Sequence, residues 1–287
     1  MSEASEEREI EIVLAIAREA EALVRAIYDT PFEVEMKGPN DPVTRADREA
    51  NTLICARLAE RFPDDAVLAE ESFPEDEAEV MALARRERVF FVDPVDGTRE
   101  FADHNPEFAV MIGLAVRGRA TLGVVIEPVT GVAVCGRIGA QTVAFREDSK
   151  GVRTPIRVTD ERDPAAATMM VSRSHRPRLI EPLTDRLRIT RVVPCGSVGV
   201  KVGRVSTGAA DLYVHGGRGV KLWDVCAPEA ILVAAGGRFS DLDGRRIDYA
   251  AGDLALKNGL VATNGALHGH VIDALREIRA ELPPSQR

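Results

Sequence analysis

The sequence has 287 residues, of which 45% are hydrophobic and 29% charged, so it can form a substantial core and is not a disordered chain. Acidic residues outnumber basic ones by 46 to 37, and the net charge of −9 disfavours a nucleic-acid polymer as partner because the protein would repel a polyanion. The length allows one large domain or two modest ones, and small molecules are the expected partners.

Two amphipathic helices are predicted at the start of the chain. Apolar residues recur at helical spacing before Thr30, where the first helix should end. Thr44 is a candidate N-cap of the second helix, with Asp47 three residues later as in a capping box, and Pro63 closes it. We find neither a signal peptide nor an apolar run of about 18 residues, which predicts a soluble, cytoplasmic protein without membrane insertion.

A strand-rich region follows. Residues 64–79 contain eight acids and no base, so part of this stretch should be a solvated loop. Five strand-like runs joined by turns then predict one antiparallel meander: residues 89–92, 108–116, 120–127, 131–136 and 142–145.

The second half of the chain has an α/β pattern. Short strands at residues 169–172, 191–194, 211–214 and 260–263 alternate with helical segments near 177–187, 197–207, 222–235 and 266–281. A polar stretch suggests a boundary near residue 150, which divides an N-terminal α+β half, residues 1–150, from a C-terminal α/β half, residues 151–287. Four cysteines without metal-ligand spacing are predicted to be buried free thiols: Cys55, Cys135, Cys195 and Cys226.

The segment at residues 89–101 is the most informative. An apolar strand ends at Asp93, Pro94 and Gly97 mark a sharp turn, and a short helix can begin just after Asp96. Two carboxylates and the free carbonyl of Val95 then point to one place, which suits a hard cation such as Mg²⁺. The N–H groups at the helix start would complement a phosphate. A simple capped turn is the alternative.

Two further acidic positions have both a structural and a functional interpretation. Glu70 and Glu71 follow an apolar pair, so a second strand ends in carboxylates, although acid pairs on loops are usually only solvated. Asp224 stands after Trp223 at a predicted helix start, where an N-cap aspartate is the alternative to a metal ligand.

Taken together, these segments resemble the ordered motifs of the magnesium-dependent, lithium-sensitive inositol monophosphatase superfamily. The resemblance covers roughly residues 8–280 and rests on four segments in order: Asp41-Pro-Val-Thr44-x-x-Asp47, Glu70-Glu71-Ser72, Asp93-Pro-Val-Asp96-Gly97-Thr98 and Trp223-Asp224-Val-Cys-Ala227. It implies a layered αβαβα sandwich with metals bound between the two halves. Ala69, Cys226 and Pro228 depart from the usual pattern without affecting the acidic residues.

The resemblance implies a set of metal ligands and a pair of catalytic residues. The ligands of two or three Mg²⁺ ions would be Glu70, Asp93, the Val95 carbonyl, Asp96 and Asp224. Asp47 and Thr98 would orient and deprotonate the attacking water, which is a poor nucleophile by itself. Lithium should inhibit, because a small monovalent ion can replace one Mg²⁺ without its charge.

The substrate side is similar to the 3′(2′),5′-bisphosphate nucleotidase branch. Arg99-Glu100-Phe101 after Gly97-Thr98 is the form typical of that branch, whereas inositol monophosphatases more often have x-Asn-Phe there. The resemblance implies that substrate contacts come from Gly97, Thr98, His175, Ser197, Gly199, Lys201, His215, Arg218 and Asp224. The family has an arginine shortly before the Trp-Asp motif, and His215 and Arg218 are the alternatives for it in this sequence.

These arguments predict a Mg²⁺-dependent phosphatase that removes the 3′-phosphate from adenosine 3′,5′-bisphosphate, a by-product of sulfate assimilation, and that also acts on its sulfated relative. The first alternative is the same chemistry on inositol or sugar phosphates. The second is a non-catalytic nucleotide sensor on the same fold. Dimers are common in the superfamily, so we expect a homodimer.

Overall fold

The computed structural model describes residues 3–38, 41–173, 178–216 and 219–281. Helix α1 (Glu3–Tyr28) is followed by a hairpin of β1 (Val34–Gly38) and β2 (Asp41–Thr44), and then by helix α2 (Arg45–Arg61). Thr44 is the N-cap of α2 and completes a capping box with Asp47. Both predicted helices and the predicted cap are therefore confirmed.

The first sheet has seven strands and follows chain order. Its elements are β3 (Ala66–Ala69), α3 (Glu77–Ala84), β4 (Arg88–Asp96), α4 (Thr98–Ala102), β5 (Ala109–Val116), β6 (Arg119–Glu127), β7 (Val132–Arg137), β8 (Val143–Glu147) and β9 (Arg153–Pro155). Strands β4 to β9 pair antiparallel with their neighbours, and β3 pairs parallel with β4. The predicted meander is confirmed, as is the strand predicted before Glu70, which is β3, and β9 is an additional strand.

The second sheet has five strands in the order β11-β10-β12-β14-β13. After a 3₁₀ turn (Pro164–Ala166), the elements are β10 (Thr168–Ser172), α5 (Ile180–Leu187), β11 (Arg191–Cys195), α6 (Val198–Ser206), β12 (Leu212–His215), α7 (Leu222–Ala234), β13 (Arg238–Ser240), β14 (Leu260–Thr263) and α8 (His268–Glu281). The alternation of strands and helices confirms the α/β pattern predicted for this half.

The elements stack in five layers, which confirms the predicted αβαβα sandwich. Helices α1 and α2 cover one face of the first sheet, α6 and α7 lie between the two sheets, and α5 and α8 cover the outer face of the second sheet. The first sheet extends to Pro155, and the division into residues 1–150 and 151–287 stays a proposal. None of the described helices has the length and apolar character needed to span a bilayer.

Three glycines let the middle helix α7 pack directly on the backbone of the first sheet. Gly113, Gly123 and Gly136 stand side by side on β5, β6 and β7. A Cβ at Gly113 would lie 2.5 Å from the nitrogen of Ala227, and one at Gly136 would lie 2.5 Å from the Cα of Ile231. At Gly123 the clash with Ala227 would be tighter still. This close approach fixes the helix that begins with the Trp-Asp motif.

The four cysteines are free thiols, as predicted. Cys135, Cys195 and Cys226 are buried and Cys55 is half-buried. Burial raises the pKa of the Cys195 thiol to about 11, so this residue stays a neutral packing group at neutral pH although it borders a cavity.

Candidate functional site

The turn after β4 brings together the residues that the sequence singled out. The Val95 N–H donates to Asp93 Oδ1 at 3.0 Å, and the pairing with β5 shifts register between Asp93 and Asp96. Gly97 follows with φ +97°, a left-handed conformation that favours glycine, and α4 starts at Thr98. The strand, the turn and the short helix are all as predicted.

Thr98 hydrogen-bonds to Asp47 at the N-terminus of α2. The Thr98 hydroxyl lies 3.0 Å from Asp47 Oδ1 and 3.1 Å from the carbonyl oxygen of Val95. The other oxygen of Asp47 accepts the N–H and the hydroxyl of Thr44 at 2.7 and 2.6 Å. Burial raises the pKa of Asp47, although these hydrogen bonds act in the opposite direction.

Glu70 reaches the same end of the sheet from the neighbouring strand. Strand β3 runs parallel to β4, and the Glu70 N–H donates to the carbonyl of Val92 at 3.0 Å. Burial raises the pKa of Glu70 to about 7, against the attraction of Lys37. Lys37 of the β1–β2 hairpin lies 3.2 Å from Glu70 Oε1 and 2.6 Å from Glu71 Oε1.

Asp224 comes from the middle layer, at the third position of α7. Its Oδ2 accepts the N–H of Lys221 at 2.7 Å. The N-cap is Lys221, so the N-cap alternative for Asp224 was wrong by three positions, although the side chain does close a capping box. Burial, followed by repulsion from neighbouring carboxylates such as Glu70 and Asp96, raises the pKa of both Asp93 and Asp224 well above the usual range.

Asp96 is held by the second half of the chain. Its Oδ2 accepts the hydroxyl of Ser197 at 2.5 Å and the N–H of Gly199 at 2.7 Å. Ser197 has φ +52°, which serine seldom adopts, and its hydroxyl oxygen also accepts the N–H of Val200 as the cap of α6. Ser197 and Gly199, which we expect to contact substrate, thus also hold Asp96, an arrangement that the sequence did not predict.

These acids adjoin a cavity of about 710 Å³ between the two halves. Its lining includes Glu70, Asp96, Gly97, Thr98 and Asp224. Within the described ranges, no three carboxylate, imidazole or thiol groups already surround a common point at metal-ligand distance. Lys37 contacts one oxygen of Glu70, and the bonds from Ser197, Gly199 and Lys221 use a single oxygen, Oδ2, of Asp96 or Asp224.

The donor set nevertheless fits a hard cation. All of the side-chain donors are carboxylates, and the bulged turn adds a backbone carbonyl. Burial and mutual repulsion raise the pKa of Asp93, with Glu70, Asp96 and Asp224 as the nearest negative groups. Binding a divalent cation is the usual way in which proteins relieve such repulsion.

Two further predicted substrate residues, Lys201 and His215, line the same cavity. Lys201 is 3% exposed, and its ammonium donates to the carbonyls of Gly196 and Cys195 at 3.1 and 3.4 Å and lies 5.0 Å from the Tyr213 ring centre. Burial lowers the pKa of Lys201, and Asp96 opposes that shift. His215 lines the cavity, with Nδ1 3.5 Å from the Tyr213 hydroxyl. The predicted residues His175 and Arg218 lie outside the described residues.

Comparison with known proteins identifies the family of this chain. The model of the "Inositol monophosphatase family" matches residues 5–280. The chain belongs to the inositol monophosphatase family. This membership confirms the resemblance inferred from the four motifs.

The relatives within the inositol monophosphatase family include proteins named bisphosphate nucleotidases. The chain is 36% identical to the 3′(2′),5′-bisphosphate nucleotidase CysQ of Salmonella typhimurium, with 88% of this chain and 99% of that protein covered. It is 35% identical to CysQ of Escherichia coli K12, covering 86% and 96%, and 29% identical to human 3′(2′),5′-bisphosphate nucleotidase 1, covering 82% and 83%. The IMPase structure of Thermotoga maritima superposes with a TM-score of 0.79 at 24% identity, covering 96% and 99%, and supports the fold.

Two features of this inositol monophosphatase family member were missed by the sequence analysis. One is Lys37 on the hairpin. The other is Glu107, whose carboxylate accepts the guanidinium of Arg173 at 2.7 to 2.9 Å and the N–H of Gly196 at 2.8 Å. Glu107 therefore ties the first half of the chain to two elements of the second half at the cavity rim. An acid after Asn105-Pro106 gives no local signal of such a role.

Proposed function

We propose that this chain is a phosphatase that removes the 3′-phosphate from adenosine 3′,5′-bisphosphate and also acts on its sulfated relative. The observation that carries the chemistry is the Thr98 hydroxyl, 3.0 Å from Asp47 and beside carboxyls that come from separate parts of the fold. The substrate class is supported by the relatives named bisphosphate nucleotidases and by the Arg99-Glu100-Phe101 form of the turn.

Two or three Mg²⁺ ions would be held by Glu70, Asp93, Asp96, Asp224 and the carbonyl of Val95. When bound, Mg²⁺ supplies Lewis acidity and neutralises the charge of the transferring phosphoryl group. The protein contributes the positions of these donors: Ser197 and Gly199 fix Asp96, and the Lys221 N–H fixes Asp224. Lithium should inhibit for the charge reason given above.

Asp47 and Thr98 would handle the water. Asp47 accepts the Thr98 hydroxyl proton, which leaves the lone pairs of that hydroxyl oxygen to accept a proton of the attacking water. As the water oxygen bonds to phosphorus, its proton moves to Thr98 and the Thr98 proton moves to Asp47. The bond from phosphorus to the 3′-oxygen breaks, and the leaving oxygen takes a proton from solvent.

The substrate contacts are proposals of the same kind. The N–H groups of Gly97 and Thr98 would contact the phosphate that is removed. Lys201 and His215 line the same cavity as Ser197 and would contact the nucleotide. His175 and Arg218 keep the roles expected from the family motifs.

A substrate panel tests the proposal. Phosphate release is measured from adenosine 3′,5′-bisphosphate, inositol 1-phosphate and fructose 1,6-bisphosphate, each with Mg²⁺ omitted, supplied, or supplied together with Li⁺. We expect adenosine 3′,5′-bisphosphate to give the highest kcat/KM, with activity dependent on Mg²⁺ and reduced by Li⁺. A preference for inositol 1-phosphate would refute the nucleotidase assignment, and tight nucleotide binding without turnover would establish the sensor alternative.

A cytoplasmic location and a homodimer stay predictions. The naming of the relatives as CysQ agrees with a role in sulfate assimilation. Cell fractionation tests the location, and sedimentation at several protein concentrations tests the dimer.

A further inference from the structure

The hairpin formed by β1 and β2 places one cation among the acids of the site. Lys37 is on β1, and its ammonium lies 2.6 Å from Glu71 Oε1 and 3.2 Å from Glu70 Oε1. The side chains of Lys37 and Glu70 are 30% and 25% exposed, and that of Glu71 is 8% exposed. Lys37 and Glu70 both line the cavity.

The two contacts of Lys37 are unequal. The short contact, to the more buried Glu71, has the length of a strong charge-assisted hydrogen bond, whereas the longer contact to Glu70 is at the upper limit of hydrogen-bond distance. An ammonium is a compact point charge with three donors, so it can keep one carboxylate while it releases another. Glu70 is therefore the partner that Lys37 gives up more easily.

A positive charge is needed at this place. Glu70 and Glu71 are adjacent in sequence and share one ammonium, at 3.2 and 2.6 Å, so their carboxylates are close enough to repel each other. The Lys37 ammonium contacts both glutamates, at 2.6 and 3.2 Å, so its positive charge offsets their negative charge. Without a bound metal, Lys37 is thus the cation that compensates both glutamates.

We propose that Lys37 is the counter-ion of Glu70 in the metal-free protein. A divalent metal ion that binds Glu70 displaces Lys37 from it, while Lys37 stays bound to Glu71. Lys37 is then a positioning residue that sets metal affinity and holds Glu70 and Glu71 in place before the metal binds. This inference rests on the proposed metal site. It adds to that site a competing group from this chain.

The same hairpin offers a matched control. Arg48 of α2 binds Glu35 of β1 through two hydrogen bonds of 2.8 and 2.6 Å. Both side chains are at least half exposed, and neither contacts the proposed metal ligands. Removing Arg48 therefore releases a hairpin contact and deletes one positive charge, but leaves Lys37 on the two glutamates.

The test is a calorimetric titration with MgCl₂ at pH 8 and low ionic strength. Wild type is compared with Lys37→Gln, Lys37→Met, Lys37→Arg and Arg48→Gln, all metal-free at the start. We expect the two neutral Lys37 variants to bind Mg²⁺ about three- to fivefold more tightly than wild type, since a competing ion pair is gone. Lys37→Arg and Arg48→Gln should stay close to wild type. The gain should shrink in high salt, which screens the lost charge.

Thermal unfolding in metal-free buffer gives the second readout. Without Mg²⁺, the neutral Lys37 variants should have a lower melting temperature than Arg48→Gln. Addition of Mg²⁺ should raise the melting temperature of the neutral Lys37 variants more than that of Arg48→Gln. Unchanged or weaker Mg²⁺ binding by both neutral variants, with wild type binding normally, would overturn the role of Lys37 alone. Absence of Mg²⁺ uptake by wild type would overturn the proposed function together with it.

Discussion

The Thr98 hydroxyl lies between two acceptors, 3.0 Å from Asp47 Oδ1 and 3.1 Å from the carbonyl of Val95. It connects the first turn of α2 with the turn after β4, which are 51 residues apart in sequence. The second oxygen of Asp47 is used by Thr44 to cap α2, so Asp47 has both a structural and a proposed catalytic contact. A substitution at Thr98 therefore tests the water-orienting pair without disturbing the cap of α2.

Substitution of Thr98 by alanine should lower kcat by about two to three orders of magnitude, because the water loses its proton acceptor. KM and the melting temperature should change little, since the α2 cap remains intact. Steady-state kinetics measure kcat and KM, and Thr98→Ser should recover most of the wild-type kcat because the hydroxyl is restored. Activity of Thr98→Ala within a few fold of wild type would rule out the pair. Asp47→Asn is the less informative variant, since it also disturbs a capping box whose loss costs about 1 kcal/mol.

Substitution of Asp96 by asparagine should abolish phosphate release while the fold stays intact. The amide oxygen of asparagine can still accept hydrogen bonds from Ser197 and Gly199. The substitution also removes a negative charge from a buried position, where burial already raises the pKa of the Asp96 carboxyl. The variant should therefore be as stable as wild type, or more stable, in metal-free buffer. Phosphate release and thermal unfolding are measured side by side, with the exposed Asp163→Asn as control. Phosphate release retained by Asp96→Asn would remove the proposed mechanism.

Sequence patterns predicted the parts of the site that are built from neighbouring residues. The Thr44–Asp47 capping box and the turn from Asp93 to Thr98 depend on short-range hydrogen bonds and on one glycine with positive φ, so their signals are local. The antiparallel meander was also predictable, since each strand pairs with the next one along the chain.

The remaining features depend on contacts between distant residues. The bonds from Ser197 and Gly199 to Asp96 span about a hundred residues, and no local pattern distinguishes them from contacts to a substrate. Lys37 lies on a short hairpin whose strand β1 is mostly exposed, which gives no hydrophobic periodicity to detect. Helix α3 begins inside an acid-rich stretch, and its N-cap Asp76 is hidden among other acids.

The metal-free protein should lose stability as the pH rises from about 4.5 to about 7. The pKa of Glu70 is about 7 in the folded chain against an ordinary value of 4.5, so the folded state keeps its proton where the unfolded state has released it. The raised pKa values of Asp93 and Asp224 extend the loss to higher pH. With Mg²⁺ present the added stability should instead grow with pH, because the ion binds the deprotonated carboxylates. Thermal unfolding in EDTA and in Mg²⁺ across this range measures both trends. Rising metal-free stability between these pH values would contradict the assignment.

Substitution of Gly123 by alanine should destabilise the protein by about 1 to 3 kcal/mol through overpacking against α7. The added Cβ would collide with the backbone of Ala227, which cannot move without shifting the helix that carries Asp224. Mg²⁺ binding should weaken as well. The control is Gly269→Ala in α8, because a Cβ at this position meets no atom within 4 Å. This substitution should stabilise the helix by about 0.5 to 1 kcal/mol. Denaturant unfolding measures both variants, and equal stability of Gly123→Ala and wild type would show that the contact with α7 is loose.

Glu229 of α7 should make wild type less stable at alkaline pH. Burial raises the pKa of this carboxyl to about 7, although the Tyr249 hydroxyl donates to it at 2.6 Å and Arg119 and Arg246 favour its ionised form. The folded pKa is above the ordinary value of 4.5, so the protonated form is favoured in the folded state and stability falls as the pH rises between these values. A neutral glutamine can accept the same hydrogen bond without that penalty.

Glu229→Gln should therefore match wild type near pH 5 and exceed it near pH 8.5 by about 2 kcal/mol, as an order-of-magnitude value from the size of the shift. Tyr249→Phe is the matched variant: it removes the donor that favours the ionised carboxylate, so the loss of stability with rising pH should become larger. Urea unfolding at both pH values gives the comparison. Glu229 is not among the residues proposed to bind metal, so the difference between Glu229→Gln and wild type should persist in Mg²⁺. Its disappearance there would mean that the pH effect originates from the acidic site.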